Sequence, residues 1–133
     1  VRRALVIAAA GAAALAGGWA WLADDGGGAP IVEVTVPPLD AQQTEGATLF
    51  EGHCAACHGP DAAGREGTAP PLVHEIYEPD HHPDAAFVAA VELGVHAHHW
   101  KYGDMPAVPG LDRDAIADIT AYVRALQRAN GIH

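Results

Sequence analysis

Apolar residues follow three different rules along this chain, and each predicts a different element. From Ala4 to Ala23 they run with no charged residue and no polar face, so the stretch does not read as a soluble amphipathic helix. From residue 31 to 36, Val32, Val34 and Val36 alternate with Glu33 and Thr35, the two-residue period of a short strand. Towards the end, Ile116, Ile119, Tyr122, Val123 and Leu126 recur at helical spacing, with Asp112 as cap, Asp114 in the first turn, Arg124 and Arg128 late, and Asn130-Gly131 as the stop. This is the clearest helix in the chain.

Two more helices have weaker signals. One is expected to begin near Thr44-Glu45, with Thr44 as cap, and to run to about Ala56 with Gly46, Leu49, Phe50 and His53 at helical spacing. Gly46 in mid-helix costs about 1 kcal/mol relative to alanine, which calls for a packing reason such as close contact with another helix. The other starts around Pro83-Asp84, carries Phe87, Val88 and Val91, and stops at Gly94. The segments Gly59 to Leu72 and His96 to Pro106 are too rich in glycine and proline to be helical throughout, and read as loops.

The chain divides into an export or anchor segment (1–23), a glycine- and proline-rich linker (24–43) and one domain (44–133). Arg2-Arg3 before the apolar run and Trp19 and Trp21 near its end favour a retained transmembrane anchor with its basic end cytoplasmic. Small-x-small sites at Ala14-Leu15-Ala16 and Gly18-Trp19-Ala20 offer the alternative of a cleaved signal peptide. The linker reads as a tether that lies along the domain, with a reach of roughly 50 Å at full extension. A lone strand within it has no obvious partner.

Charge and cysteine usage narrow the function. The net charge of −10 argues against nucleic acid, and five basic against fourteen acidic residues from position 40 onward point to a partner with a basic or apolar face. Two cysteines separated by two residues cannot form a disulfide framework.

Those cysteines belong to Cys54-Ala55-Ala56-Cys57-His58, the spacing of covalent haem attachment: two thiols one turn apart, and an imidazole that can face the iron. A haem needs a second axial ligand, and the one methionine, Met105, follows His58 by 47 residues in an Asp-Met-Pro turn. His96, His98 and His99 are its competitors. A thioredoxin-like pair lacks its βαβ context, and a structural zinc site lacks two further ligands at finger-like spacing.

From about residue 44 to 131 the chain resembles the class I c-type cytochromes. The resemblance rests on Gly46 and Phe50 with the haem motif, on Pro70-Pro71-Leu72, on Asp104-Met105-Pro106 and on Tyr122, all in the family's order. It implies an all-α fold of three main helices, the first and last crossing at Gly46, Phe50 and Tyr122 around one covalent haem c. It also implies that the carbonyl of Pro70 accepts the hydrogen bond of the proximal imidazole, with Ala69 standing where the family usually has glycine. With His58 and Met105 filling both axial positions, the expected function is reversible one-electron transfer between redox proteins, with no small-molecule substrate and no enzymatic reaction. The expected location is the periplasmic face of a bacterial cytoplasmic membrane, or the soluble periplasm if the leader is cleaved. A haem enzyme would instead need an open iron.

Trp100 and Tyr102 are expected to wall the pocket, with a bond to a haem propionate as the alternative. Six histidines, His74, His81, His82, His96, His98 and His99, fall within 26 residues. Read plainly they are surface or hydrogen-bonding residues in loops. The alternative is a copper or zinc module, with a second metal site built from His81, His82, His96, His98 and His99.

Overall fold

A computed structural model of the protein describes residues 28–133. The predicted anchor or leader lies outside the described residues, and among those described no helix is long and apolar enough to cross a membrane. The described chain forms α1 (Ala41–His53), α2 (Ala55–His58), α3 (Asp84–Leu93) and α4 (Arg113–Ala129), with single 3-10 turns at Pro60–Ala62 and Glu75–Tyr77. It contains no strand, only isolated bridges between Arg65 and Ala69 and between Val95 and Met105. The expected all-α class holds over these residues, with α1, α3 and α4 as the main helices.

The first helix starts earlier than Thr44. The Asp40 carboxylate accepts the Gln43 N–H at 2.8 Å, while Gln43 Oε1 accepts the Asp40 N–H at 3.1 Å. This reciprocal capping box satisfies two donors at once, which Thr44 alone could not do. Thr44 instead turns its hydroxyl back onto the Asp40 carbonyl at 2.7 Å inside the helix. The helix also breaks sooner, at Cys54 (φ −122°, ψ −35°), before resuming as the single turn of α2. At the other end of the domain, Asp112 caps α4 by accepting the Ala115 N–H at 2.9 Å, as its sequence predicts.

The core lies where α1 crosses α4. Phe50, Tyr122, Val123 and Leu126 are each at most 3% exposed, and burial of such side chains stabilises by about 1.5–3 kcal/mol apiece. The Phe50 and Tyr122 rings meet edge to face with centroids 5.7 Å apart. A methyl group on Gly46 would overlap the backbone carbonyl of Asp118, so this glycine is what lets the two helices approach. The turn after α2 puts Asp61 and Ala62 at positive φ (52° and 58°), unfavourable for side-chain-bearing residues. Two contacts hold it there: Tyr122 donates its hydroxyl to Asp61 at 2.9 Å, and Ala62 is fully buried.

Residues 28–40 run extended against this core. Ile31 and Val32 both donate their N–H to the Ala63 carbonyl at 3.1 Å, and Val34 and Leu39 pack on the core. The alternation at residues 31–36 does not make a strand, and the partner of this stretch is a side chain. The amide of Asn130 accepts the Thr35 N–H and donates to the Thr35 carbonyl, each at 2.9 Å, which imitates one rung of a sheet. From Ala29 onward, therefore, this stretch is bound to the domain along its length and adds nothing to a free tether.

Candidate cofactor site

The two thiols stand at the junction of α1 and α2, Cys54 partly buried and Cys57 exposed, and neither is in a disulfide. Burial, and next the nearby Cys57, push the Cys54 thiol up to about 11. A thiol that keeps its proton so firmly is the opposite of a redox-active or nucleophilic cysteine, whose pKa is depressed.

His58 ends α2 and is only 8% exposed. Its Nδ1–H donates to the Pro70 carbonyl at 2.9 Å, which fixes the ring and leaves the Nε2 lone pair free. Burial lowers its pKa, and the Pro70 bond opposes this with a smaller effect, so the imidazole is neutral as a ligand must be. Gly59 follows at φ +74°, where a side chain would press on the Gly64 carbonyl. The reversal it permits lets Gly64 N–H reach the His58 carbonyl at 2.6 Å. Before Pro70, Ala69 exchanges hydrogen bonds with Arg65 at 3.0 and 3.2 Å without a positive φ, so this turn accepts alanine without strain.

Met105 is held by its backbone. Val95 N–H donates to the Met105 carbonyl and Met105 N–H to the Val95 carbonyl, both at 2.9 Å. Gly94, at φ +77°, allows this approach, since a Cβ there would come within 2.6 Å of the Met105 carbonyl oxygen. Asp104 fastens the same loop from its other side. One carboxylate oxygen accepts the Ala97 N–H and the other the His96 Nδ1–H, each at 2.9 Å. The Ala97 N–H, followed by His96, holds the Asp104 carboxyl below its usual range.

Cys54, Pro70 and Met105 line one cavity of about 430 Å³ whose remaining wall is mostly apolar, with Leu72, Phe87 and Ile119 among it. Cys57 and His58 are not among the lining residues; His58 is joined to the wall through its bond to Pro70. Trp100 and Tyr102 stack near-parallel at 6.0 Å and form part of the wall, as expected. The Trp100 indole N–H is buried with no hydrogen-bond partner. It lies near enough to Tyr77 to draw that phenol's pKa partly back from the rise that burial causes, although no acceptor meets it at bonding geometry.

These residues fit a haem. An apolar cavity of this kind takes a flat hydrophobic ring, the buried indole N–H offers a donor to an acidic substituent, and two thiols, one neutral imidazole and one thioether supply the donor set.

The histidines separate into different tasks. His74 accepts the Ile76 N–H at 3.2 Å and packs edge-on against Trp100. His96, a candidate ligand by sequence, is engaged by Asp104 with its side chain 98% exposed. His81, His82 and His99 bring one ring nitrogen each within 4.8 Å of one another, and the His98 ring lies against that of His99 with centroids 4.1 Å apart. The five proposed ligands therefore reduce to a group of three, with His98 beside it.

Two positioning residues escape sequence reading. Arg124 looks like a solvated cation near a helix C-terminus, yet it is 6% exposed and lies 4.8 Å over the Phe87 ring. It bonds the Asp84 carboxylate at 2.8 Å, the Tyr77 carbonyl at 2.6 Å and the His82 carbonyl. Gln127 adds a bond to the Leu72 carbonyl at 2.8 Å. Together they tie α4 to the cavity wall. The apolar face of Ile116, Ile119, Tyr122, Val123 and Leu126 was the available signal, and it does not foretell a buried guanidinium.

A helical domain with a Cys-x-x-Cys-His turn beside an apolar cavity is the form of a protein that carries a covalently attached haem. The family model described as Cytochrome c matches residues 43–127, more than half of the chain, and the chain belongs to the cytochrome c family. Its cofactor is accordingly a covalent haem c, for which Cys54 and Cys57 are the thiols present, and its work is haem-based electron transfer as a carrier. A comparison with curated proteins gives no match.

Proposed function

We propose that the protein passes single electrons between redox proteins at the periplasmic face of the cytoplasmic membrane, through a haem c ligated by His58 and Met105. The observation that carries this reading is the locked backbone of Met105, a residue of the wall of the same cavity as Cys54 and Pro70. The haem, when bound, supplies a reversible one-electron couple. His58 offers a neutral Nε2 whose orientation Pro70 holds, and Met105 offers a neutral sulfur on a backbone held by Val95. Neither side chain would have to gain or lose a proton to hold the iron in either charge state. The apolar wall excludes water, and a thioether in place of a second imidazole favours a higher potential.

The uncharged run from Ala4 to Ala23 after Arg2-Arg3 supports membrane attachment with the haem domain outside the cytoplasm. The acidic domain favours donors and acceptors with basic or apolar docking faces. The test is the visible spectrum of ferric holoprotein. The weak red-edge methionine–iron band is expected in wild type and lost in Met105→Ala; its absence from wild type removes Met105 from the iron. Haem-stained fractions of the producing cells test the location, with signal in the cytoplasmic fraction alone counting against it.

A further inference from the structure

We infer that His81, His82 and His99 form a second metal site for a divalent late transition ion, zinc or copper(II), separate from the haem iron. Their three ring nitrogens lie within 4.8 Å of one another. His81 Nε2 and His99 Nε2 are already 3.4 Å apart. Two nitrogens bound to one tetrahedral zinc at ~2.0–2.1 Å would be separated by about 3.3 Å, so this pair needs almost no movement to share an ion.

The third imidazole is prepared for the task. His82 donates Nδ1–H to the Ile76 carbonyl at 2.6 Å, which fixes its tautomer and leaves Nε2 with a free lone pair. Its backbone is fixed as well, because its N–H reaches the Glu78 carbonyl at 2.8 Å and its carbonyl accepts a guanidinium N–H from Arg124. His98 shows the same arrangement, with Nδ1–H donated to the His96 carbonyl at 2.8 Å, and it stacks beside the group as a neighbour.

The chemistry follows from the donor set. Three imidazoles and one open position suit zinc or copper(II) and disfavour calcium or magnesium, which require oxygen ligands. The site joins two segments, the turn before α3 that carries His81 and His82 and the methionine loop that carries His99. His82 and His99 also line the cavity that Met105 lines, so the haem spectrum is read beside the metal titration, and failure of the titration with that spectrum unchanged leaves the electron-carrier reading intact.

The test is zinc binding to metal-stripped holoprotein by isothermal titration, with copper(II) as a second probe. One zinc per chain is expected, with affinity reduced at least about 100-fold in the double variant His81→Ala, His99→Ala. His96→Ala, which removes the Asp104 partner and no proposed ligand, should bind as wild type does. His81 and His99 are exposed, and an unchanged haem spectrum in the double variant confirms that the domain is intact. Equal binding by wild type and the double variant overturns the site, and so does a loss in His96→Ala as large as that in the double variant.

Discussion

Val95 and Met105 each donate a backbone N–H to the other's carbonyl at 2.9 Å, so the methionine is fixed by its main chain at the end of α3 before its sulfur meets anything. Val95→Pro removes one of these donors. The expected cost at the bridge is about 1–3 kcal/mol, because the Met105 carbonyl is left without its partner. Ferric Val95→Pro holoprotein should show a weakened methionine–iron band and bind added imidazole roughly 10-fold more tightly than wild type. Met105→Ala should go further and bind carbon monoxide when reduced, which wild type should resist.

Two glycines of α1 should respond to alanine with opposite signs. At Gly46 the new methyl meets the Asp118 carbonyl, and forcing the helices apart should destabilise by about 1–3 kcal/mol or more. At Gly52 nothing lies within 4 Å, so Gly52→Ala should stabilise by up to ~1 kcal/mol through helix propensity. Urea unfolding of the two variants beside wild type checks both signs.

Arg124 is buried against carbonyls that belong to the cavity wall. Arg124→Leu should destabilise by about 1–3 kcal/mol, since it strips the His82 carbonyl of its guanidinium partner and leaves the Tyr77 carbonyl with Gln127 alone, while Asp84 is already largely exposed. Arg124→Lys should recover little, because an ammonium cannot span three acceptors as the planar fork does. Thermal unfolding of both variants, with the haem spectrum as a check on the pocket, measures the effect.

Tyr122 links stability to alkaline pH. Burial, followed by the hydrogen bond and charge of Asp61, raises its pKa well above the ordinary tyrosine value. The folded protein therefore keeps a phenolic proton that the unfolded chain releases above about pH 10, so the contribution is complete below pH 10 and is lost as pH rises further. Tyr122→Phe should cost about 0.5–1.5 kcal/mol at neutral pH. The gap between wild type and variant should shrink between pH 10 and 11 in denaturant titrations, and a constant gap would show that the proton plays no part.

Local signals were readable wherever the relevant groups are close in sequence. Asp112 and the apolar face of α4, the Pro83 to Gly94 limits of α3 and the packing role of Gly46 all follow from spacing and capping chemistry. Asp40-x-x-Gln43 has the spacing of a capping box, which the expected start at Thr44 passes over. What spacing cannot supply is the partner of a group brought close by folding. The Asn130 amide standing in for a strand, the burial of Arg124, the Val95–Met105 bridge and the capture of His96 by Asp104 all depend on contacts between separate segments. For that reason the haem motif could be picked out from the chain, whereas the division of the histidines could not.

The Val95–Met105 bridge also closes a loop, residues 96–104, and that loop carries His98 and His99. A bond made by the Met105 sulfur and a metal held by His99 would both act on this one small ring of chain. Thermodynamic linkage then makes the effect mutual: whatever free energy a metal at the histidines adds to the closed loop strengthens the hold of the thioether by the same amount. Through that ring, the metal supply around the protein would set how firmly a Met105 ligand is kept.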